Sequence, residues 1–196
     1  MAAFALVHSP LVGPFTWQPV AAELRRRSFE AIVPALANSS VPGSLYWQQH
    51  ANAVAQAVEV LPLDDTLILV GHSGAGMLLP AIRETLGYPV AGYIFLDANI
   101  PRDGLSRLDH FPRQEAEQFR RTATHGFLPV WTEDALMPLI PDDTMRKQFI
   151  SELRPMPLAV YEEPIPVFSG WPDAPCGYIS FSGTSVYDEA IQTAKQ

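Results

Sequence analysis

The hexapeptide Gly71-His72-Ser73-Gly74-Ala75-Gly76 constrains the fold more than any other stretch of the chain. An apolar run, Thr66–Val70, precedes it, and a helix-like apolar stretch, Met77–Leu86, follows it. A buried strand, a sharp turn of small residues and a helix form the sequence context of a nucleophile elbow. There a strained serine backbone pushes the hydroxyl out above a sheet. Small residues must flank the serine, because strand and helix approach too closely for a larger side chain. Ala75 stands where the last glycine of Gly-x-Ser-x-Gly would be, a small-for-small exchange.

The rest of the chain reads as strands alternating with helices. Ala3–Val7, Phe29–Val33, Thr66–Val70, Val90–Leu96 and Cys176–Phe181 are short apolar or β-branched runs and predict five strands. Phe15–Arg27, with Val20, Ala21 and Leu24 on its apolar side, predicts the first helix. Trp47, Ala51, Val54, Val58 and Leu61 recur at helical spacing and predict a second over 45–60, with His50 facing solvent. Helices also follow over 74–86, where Pro80 should kink or reshape the helix, and over Ser185–Lys195. Asn38–Gly43 is a turn-rich loop. The alternation implies a single α/β domain over 1–196: a three-layer sandwich, with a mostly parallel sheet of about five strands and helices on both faces.

The segment between the fourth and fifth strands is far longer than a crossover requires. Phe111–Thr124, Glu133–Leu139 and Asp142–Leu153 predict short helices there. Of the 19 prolines, nine fall from Pro129 to Pro175, so long helices are excluded from that stretch. Residues 100–165 therefore read as a helical lid above the carboxyl ends of the strands, where sites form in open α/β sheets.

A net charge of −8 argues against nucleic acid and anionic membranes as partners. Arg25-Arg26-Arg27 reads as the solvated end of a helix. The lone Cys176 permits no internal disulfide and reads as a small apolar residue in or beside a strand. No His-x-His, His-Glu-x-x-His or paired cysteine predicts a metal site, and no cofactor is implied. Met1–His8 lacks a basic leader and is too short for a signal or spanning segment, so the chain reads as cytoplasmic.

Three segments resemble the α/β-hydrolase fold, specifically its small esterase-like members with a helical cap. They are Leu6–Pro14 with Trp17, the Gly71–Gly76 elbow, and Leu96-Asp97-Ala98. The resemblance implies an acyl transfer in which a serine attacks, a histidine takes its proton and a carboxylate orients the histidine. It implies Ser73 as nucleophile, the Gly74 N–H as an oxyanion donor, and Asp97 as the acid, with Asp188 as the alternative. The His8 loop resembles the family's His-Gly oxyanion loop, so His8, Ser9, Leu11 and His72 are expected around the pocket.

Three departures from the family pattern stand out. The family's histidine follows a further strand, whereas no histidine follows His125 in this chain, so the triad reads as incomplete. His72 is expected to point away from the elbow tip, which leaves His110 and His125 of the lid as candidate bases. The residue two after His8 is Pro10, which has no N–H to donate to an oxyanion, so Leu11 is the substitute. The family's leading antiparallel strands are missing and the chain reads as shortened at both ends. An open last edge then invites a homodimer or a partner chain.

The expected activity is hydrolysis of a small hydrophobic ester, thioester or lactone. Trp17, Phe127, Trp131, Phe168 and Trp171 are candidate pocket walls. One alternative keeps the pocket but runs lyase, cyclisation or rearrangement chemistry. Another is a catalytically dead protein that binds a ligand or partner.

Overall fold

The computed structural model describes residues 2–36, 43–61, 66–181 and 187–195. The Asn38–Gly43 loop and the start of the last predicted helix fall largely outside them. The main sheet has five parallel strands in the order β2-β1-β3-β4-β7. These are β1 (Ala2–Val7), β2 (Glu30–Ile32), β3 (Thr66–Ser73), β4 (Gly92–Ala98) and β7 (Cys176–Ile179). All five correspond to predicted strands.

Alternation along the strands builds two cores. Ala3, Ala5, Val7, Leu67, Leu69, Tyr93 and Phe95 point to one face and pack against α2 (Tyr46–Val58) and α3 (Leu79–Leu86). Phe4, Leu6, Ile68, Val70, Ile94 and Leu96 point to the other, against Trp17, Ala21 and Leu24 of the segment that ends in α1 (Gln18–Arg26). Burying both faces of a parallel sheet requires these near-continuous apolar runs. The result is the three-layer α/β sandwich that the sequence implies.

Several details differ from the sequence reading. The first helix opens with a 3-10 turn, Pro14–Trp17, and Val20 is largely exposed. Pro80 lies in the first turn of α3, where its missing N–H removes no helical bond. A 3-10 turn, Gly76–Leu78, connects the elbow to that helix. His50 is fully buried on α2 and does not face solvent. Cys176 opens β7 as expected but is exposed. β7 forms the sheet edge, with Ile179 at its end and Phe181 just past it half exposed. No described helix is long and apolar enough to cross a membrane.

Between β4 and β7 the chain forms α4 (Arg113–Thr122), α5 (Glu133–Leu136) and α6 (Asp143–Glu152), all three as expected. It also forms β5 (Phe127–Leu128) paired antiparallel with β6 (Met156–Pro157), and a short α7 (Ala159–Glu162). This insertion has its own apolar cluster around Leu108, Leu128, Met156, Val160 and Tyr161, which also takes in Leu11 and Tyr46 of the main body.

The crossing of β3 and the following turn leaves no room for side chains. A Cβ on Gly76 would lie 2.6 Å from the Asn99 carbonyl oxygen and 2.8 Å from the Ala98 Cβ. Gly76→Ala is therefore expected to cost about 1–3 kcal/mol in urea denaturation, the range for overpacking a filled site. A variant as stable as the parent would contradict this packing.

Candidate active site

Parallel strands carry their carboxyl ends to one edge of the sheet, and the site residues gather there. Ser73 is the last residue of β3, half-buried, with φ of 56°. A non-glycine residue in this region is held at a cost of about 1–3 kcal/mol. The Ala75 N–H closes the turn onto the His72 carbonyl at 3.0 Å. The turn is thus tight, with its serine in the left-handed region.

Asp97 ends its strand in a second irregularity. β3 and β4 run in register to His72 opposite Leu96, and then Ser73 pairs with Ala98. Asp97 is thus the extra residue of a bulge, with φ of 38°, and a bulge re-aims a side chain. It is buried, and its Oδ1 accepts the Phe181 N–H at 2.9 Å, just past β7. Tyr178 of β7 braces the next residue, accepting from the Ala98 N–H at 3.1 Å and donating to the Ala98 carbonyl at 2.9 Å. Asp188, the alternative acid, is exposed in the first turn of α8 (Asp188–Ala194).

The loop after β1 supplies His8, Ser9 and Leu11. His8 is buried, with Nδ1 2.8 Å from the Ser9 carbonyl and Nε2 accepting the Leu36 N–H at 3.3 Å. One neutral tautomer, protonated on Nδ1, satisfies both contacts. Burial lowers its pKa and so keeps that form. His8 is therefore a fixed strut of the loop. The Leu11 N–H lies 3.4 Å from Ser9 Oγ, a long contact. A pocket of about 280 Å³ borders this loop, with His8, Leu11, Glu152 and Arg154 in its walls.

The remaining histidines separate clearly. His72 meets Trp17 edge-on at 6.2 Å, and Trp17 belongs to the core on the α1 side of the sheet. His125 is exposed, on a left-handed turn. His110 walls a cavity of about 30 Å³ together with Tyr187, Arg102 and Glu189. Burial lowers its pKa, and its Nε2 has no acceptor or donor among the described residues.

Tyr187 was not singled out by sequence, yet it touches the serine. Its hydroxyl donates to Ser73 Oγ at 2.8 Å. Burial raises its pKa, so it remains a protonated donor. The five aromatics expected as pocket walls are spread over several places in the fold. Trp17 is in the α1-side core and Trp171 packs on Tyr93 and Phe95. Phe168 lies under Arg83, while Phe127 and Trp131 are largely exposed. Among the described residues no cluster of three or more His, Cys, Asp and Glu side chains could hold a metal ion.

A strained serine ends one parallel strand, a buried aspartate ends the next, and a His-Ser loop follows the first. A sequence model of the alpha/beta hydrolase family matches residues 4–194, and the chain belongs to that family. It is similar to a carbendazim hydrolyzing esterase of Nocardioides sp. (strain SG-4G), 26% identical over 183 residues, spanning 87% of this chain and 75% of that protein. Among solved structures it is similar to an extracellular alpha/beta-hydrolase from a Paenibacillus species. The TM-score is 0.75 at 20% identity, over 93% of this chain and 78% of that one. It is also similar to tomato methylketone synthase I complexed with 2-tridecanone, with a TM-score of 0.70 at 14% identity, over 98% and 84%. At these identities the structural likeness supports the fold alone.

The buried His50 has a consequence for acid stability. Burial holds its pKa down to about 3 from 6.5, helped by the nearby Arg107 charge and His8. Between those values the unfolded chain binds a proton that the folded chain does not. Stability therefore falls as pH drops from about 6.5 toward 3, by up to about 1.4 kcal/mol per pH unit for this group. Urea denaturation across that window should show a shallower acid limb in His50→Gln, and an unchanged limb would contradict the assignment.

Proposed function

We propose that the chain is an ester hydrolase that transfers an acyl group through Ser73. The observation that carries this reading is the left-handed serine at the end of β3, with φ of 56°. The esterase relative over most of the chain supports it. Ser73 Oγ attacks the acyl carbon, and the bond to the alcohol or thiol leaving group breaks. The Gly74 N–H, with Leu11 or Ser9 of the facing loop, stabilises the charge on the carbonyl oxygen. Asp97 places a buried carboxylate at the end of the neighbouring strand, and Glu189 and Asp109 supply the negative charge that favours a protonated His110. His110 takes the serine proton and returns it to the leaving group, acting past Tyr187. It is the histidine that shares a cavity wall with Tyr187, whereas His125 is exposed. Water then releases the acid. The substrate class is a small hydrophobic ester, thioester or lactone.

One observation favours a second reading. Tyr187 donates to Ser73 Oγ at 2.8 Å, which lowers the electron density that the oxygen would use for attack. In this reading Ser73 and Tyr187 together hold a substrate oxygen, and the reaction is a lyase, cyclisation or rearrangement step with no acyl-enzyme.

Ser73→Ala separates the two. Hydrolysis through an acyl-enzyme predicts loss of p-nitrophenyl ester turnover by at least about 10⁴-fold with the melting temperature unchanged. A folded variant that retains a substantial part of the parent activity would contradict it and favour the second reading.

A further inference from the structure

Arg107 of the insertion is completely buried, although arginine is almost never buried without a carboxylate partner. No ion pair to it occurs among the described residues. Its Nε donates to the Gly74 carbonyl at 2.9 Å and its Nη1 to the Val160 carbonyl at 2.6 Å. The guanidinium carbon stands 5.9 Å from the centre of the Tyr161 ring. Burial lowers its pKa to about 10, opposed by Tyr161 and Glu163. Glu163 is itself engaged, accepting the Tyr46 and Trp47 N–H groups at the start of α2 at 3.0 and 3.1 Å.

The Gly74 carbonyl is free to accept Arg107 because the elbow leads into a 3-10 turn. In an α-helix that carbonyl would take the N–H four residues on. Here the Leu78 N–H goes to the Ala75 carbonyl at 3.0 Å. Gly74 also makes room for the arginine. A Cβ there would lie 3.2 Å from Arg107 Cδ, and 3.4 Å from both its Nε and the Tyr161 hydroxyl. The peptide unit joining Gly74 to Ala75 is thus gripped at both ends, its oxygen by Arg107 and its N–H by the His72 carbonyl at 3.0 Å.

We infer that Arg107 is a positioning residue, through which the insertion fixes the Gly74 backbone and sets the direction of its N–H toward the reacting carbonyl. The planar fork matters because one guanidinium spans the elbow and α7 at once, which a single ammonium cannot do. The buried charge also places positive potential beside the donor that meets the developing oxyanion.

This inference rests on the hydrolytic reading, so the test has one arm that does not. In Arg107→Met and Arg107→Lys, kcat on p-nitrophenyl butyrate and amide hydrogen exchange of the elbow segment are measured together. The methionine variant is expected to lose about 10²-fold in kcat with KM within twofold of the parent. Lysine should recover part of that loss. The elbow amides of the methionine variant should exchange at least about tenfold faster while the sheet stays protected. If the methionine variant does not fold, the lysine variant carries both readouts, with a smaller loss in the same direction. Parent-like kcat with parent-like elbow exchange would overturn the inference, as would loss of protection throughout the sheet with kcat and KM changing together. If the parent turns over no ester, the hydrolytic reading fails, and the exchange arm still decides whether Arg107 holds the elbow.

Discussion

The close approach of two glycines at the end of β3 is the constraint on which the site depends. A Cβ on Gly71 would lie 2.9 Å from the Gly76 Cα and 3.0 Å from its nitrogen. Strand and turn therefore fold back on each other with backbone against backbone. The residue at the tip, Ser73, is driven into the left-handed region, and its hydroxyl meets Tyr187 at 2.8 Å. The strain is sustained because the packed sheet, Ala98 and the Asn99 carbonyl close around Gly76.

The remainder of the molecule acts as a brace for that turn. The parallel sheet brings the ends of β1, β3, β4 and β7 to one edge, so His8, Ser73, Asp97 and Phe181 meet there. The bulge at Asp97 moves a carboxylate toward that edge without breaking the pairing of Ser73 with Ala98. The insertion is fastened on both sides. Glu152 of α6 accepts the Phe15 N–H at 2.7 Å beside the loop after β1, and Arg107 grips Gly74. It is therefore tied into the same polar framework as the site.

Much of this was legible in the sequence, and the exceptions have physical causes. Strands buried on both faces leave apolar runs, and amphipathic helices leave a period, so all five main strands and their helices could be read. The Gly71–Gly76 stretch is a local pattern of small residues and places a tight turn between strand and helix from sequence alone. His50 was misread because it is polar, although Trp47, Ala51 and Val54 place it on the buried face of α2. The two-residue strands β5 and β6 are too short to leave a pattern. Tyr187 and Arg107 reach the elbow from 114 and 33 residues away in sequence, and no local signal marks such contacts. Composition alone does not say where an aromatic ring packs: Trp17 and Trp171 join the two cores, whereas Phe127 and Trp131 stay largely exposed.

In the proposed reaction the strained turn presents Ser73 as an acyl acceptor. A fluorophosphonate probe, followed by intact-mass measurement and peptide mapping, reads that reactivity at the serine itself. A single adduct on Ser73, absent from Ser73→Ala, is expected. A folded protein that takes up no probe at Ser73 would contradict it, and would mean that the serine hydroxyl held by Tyr187 serves as a hydrogen-bonding group.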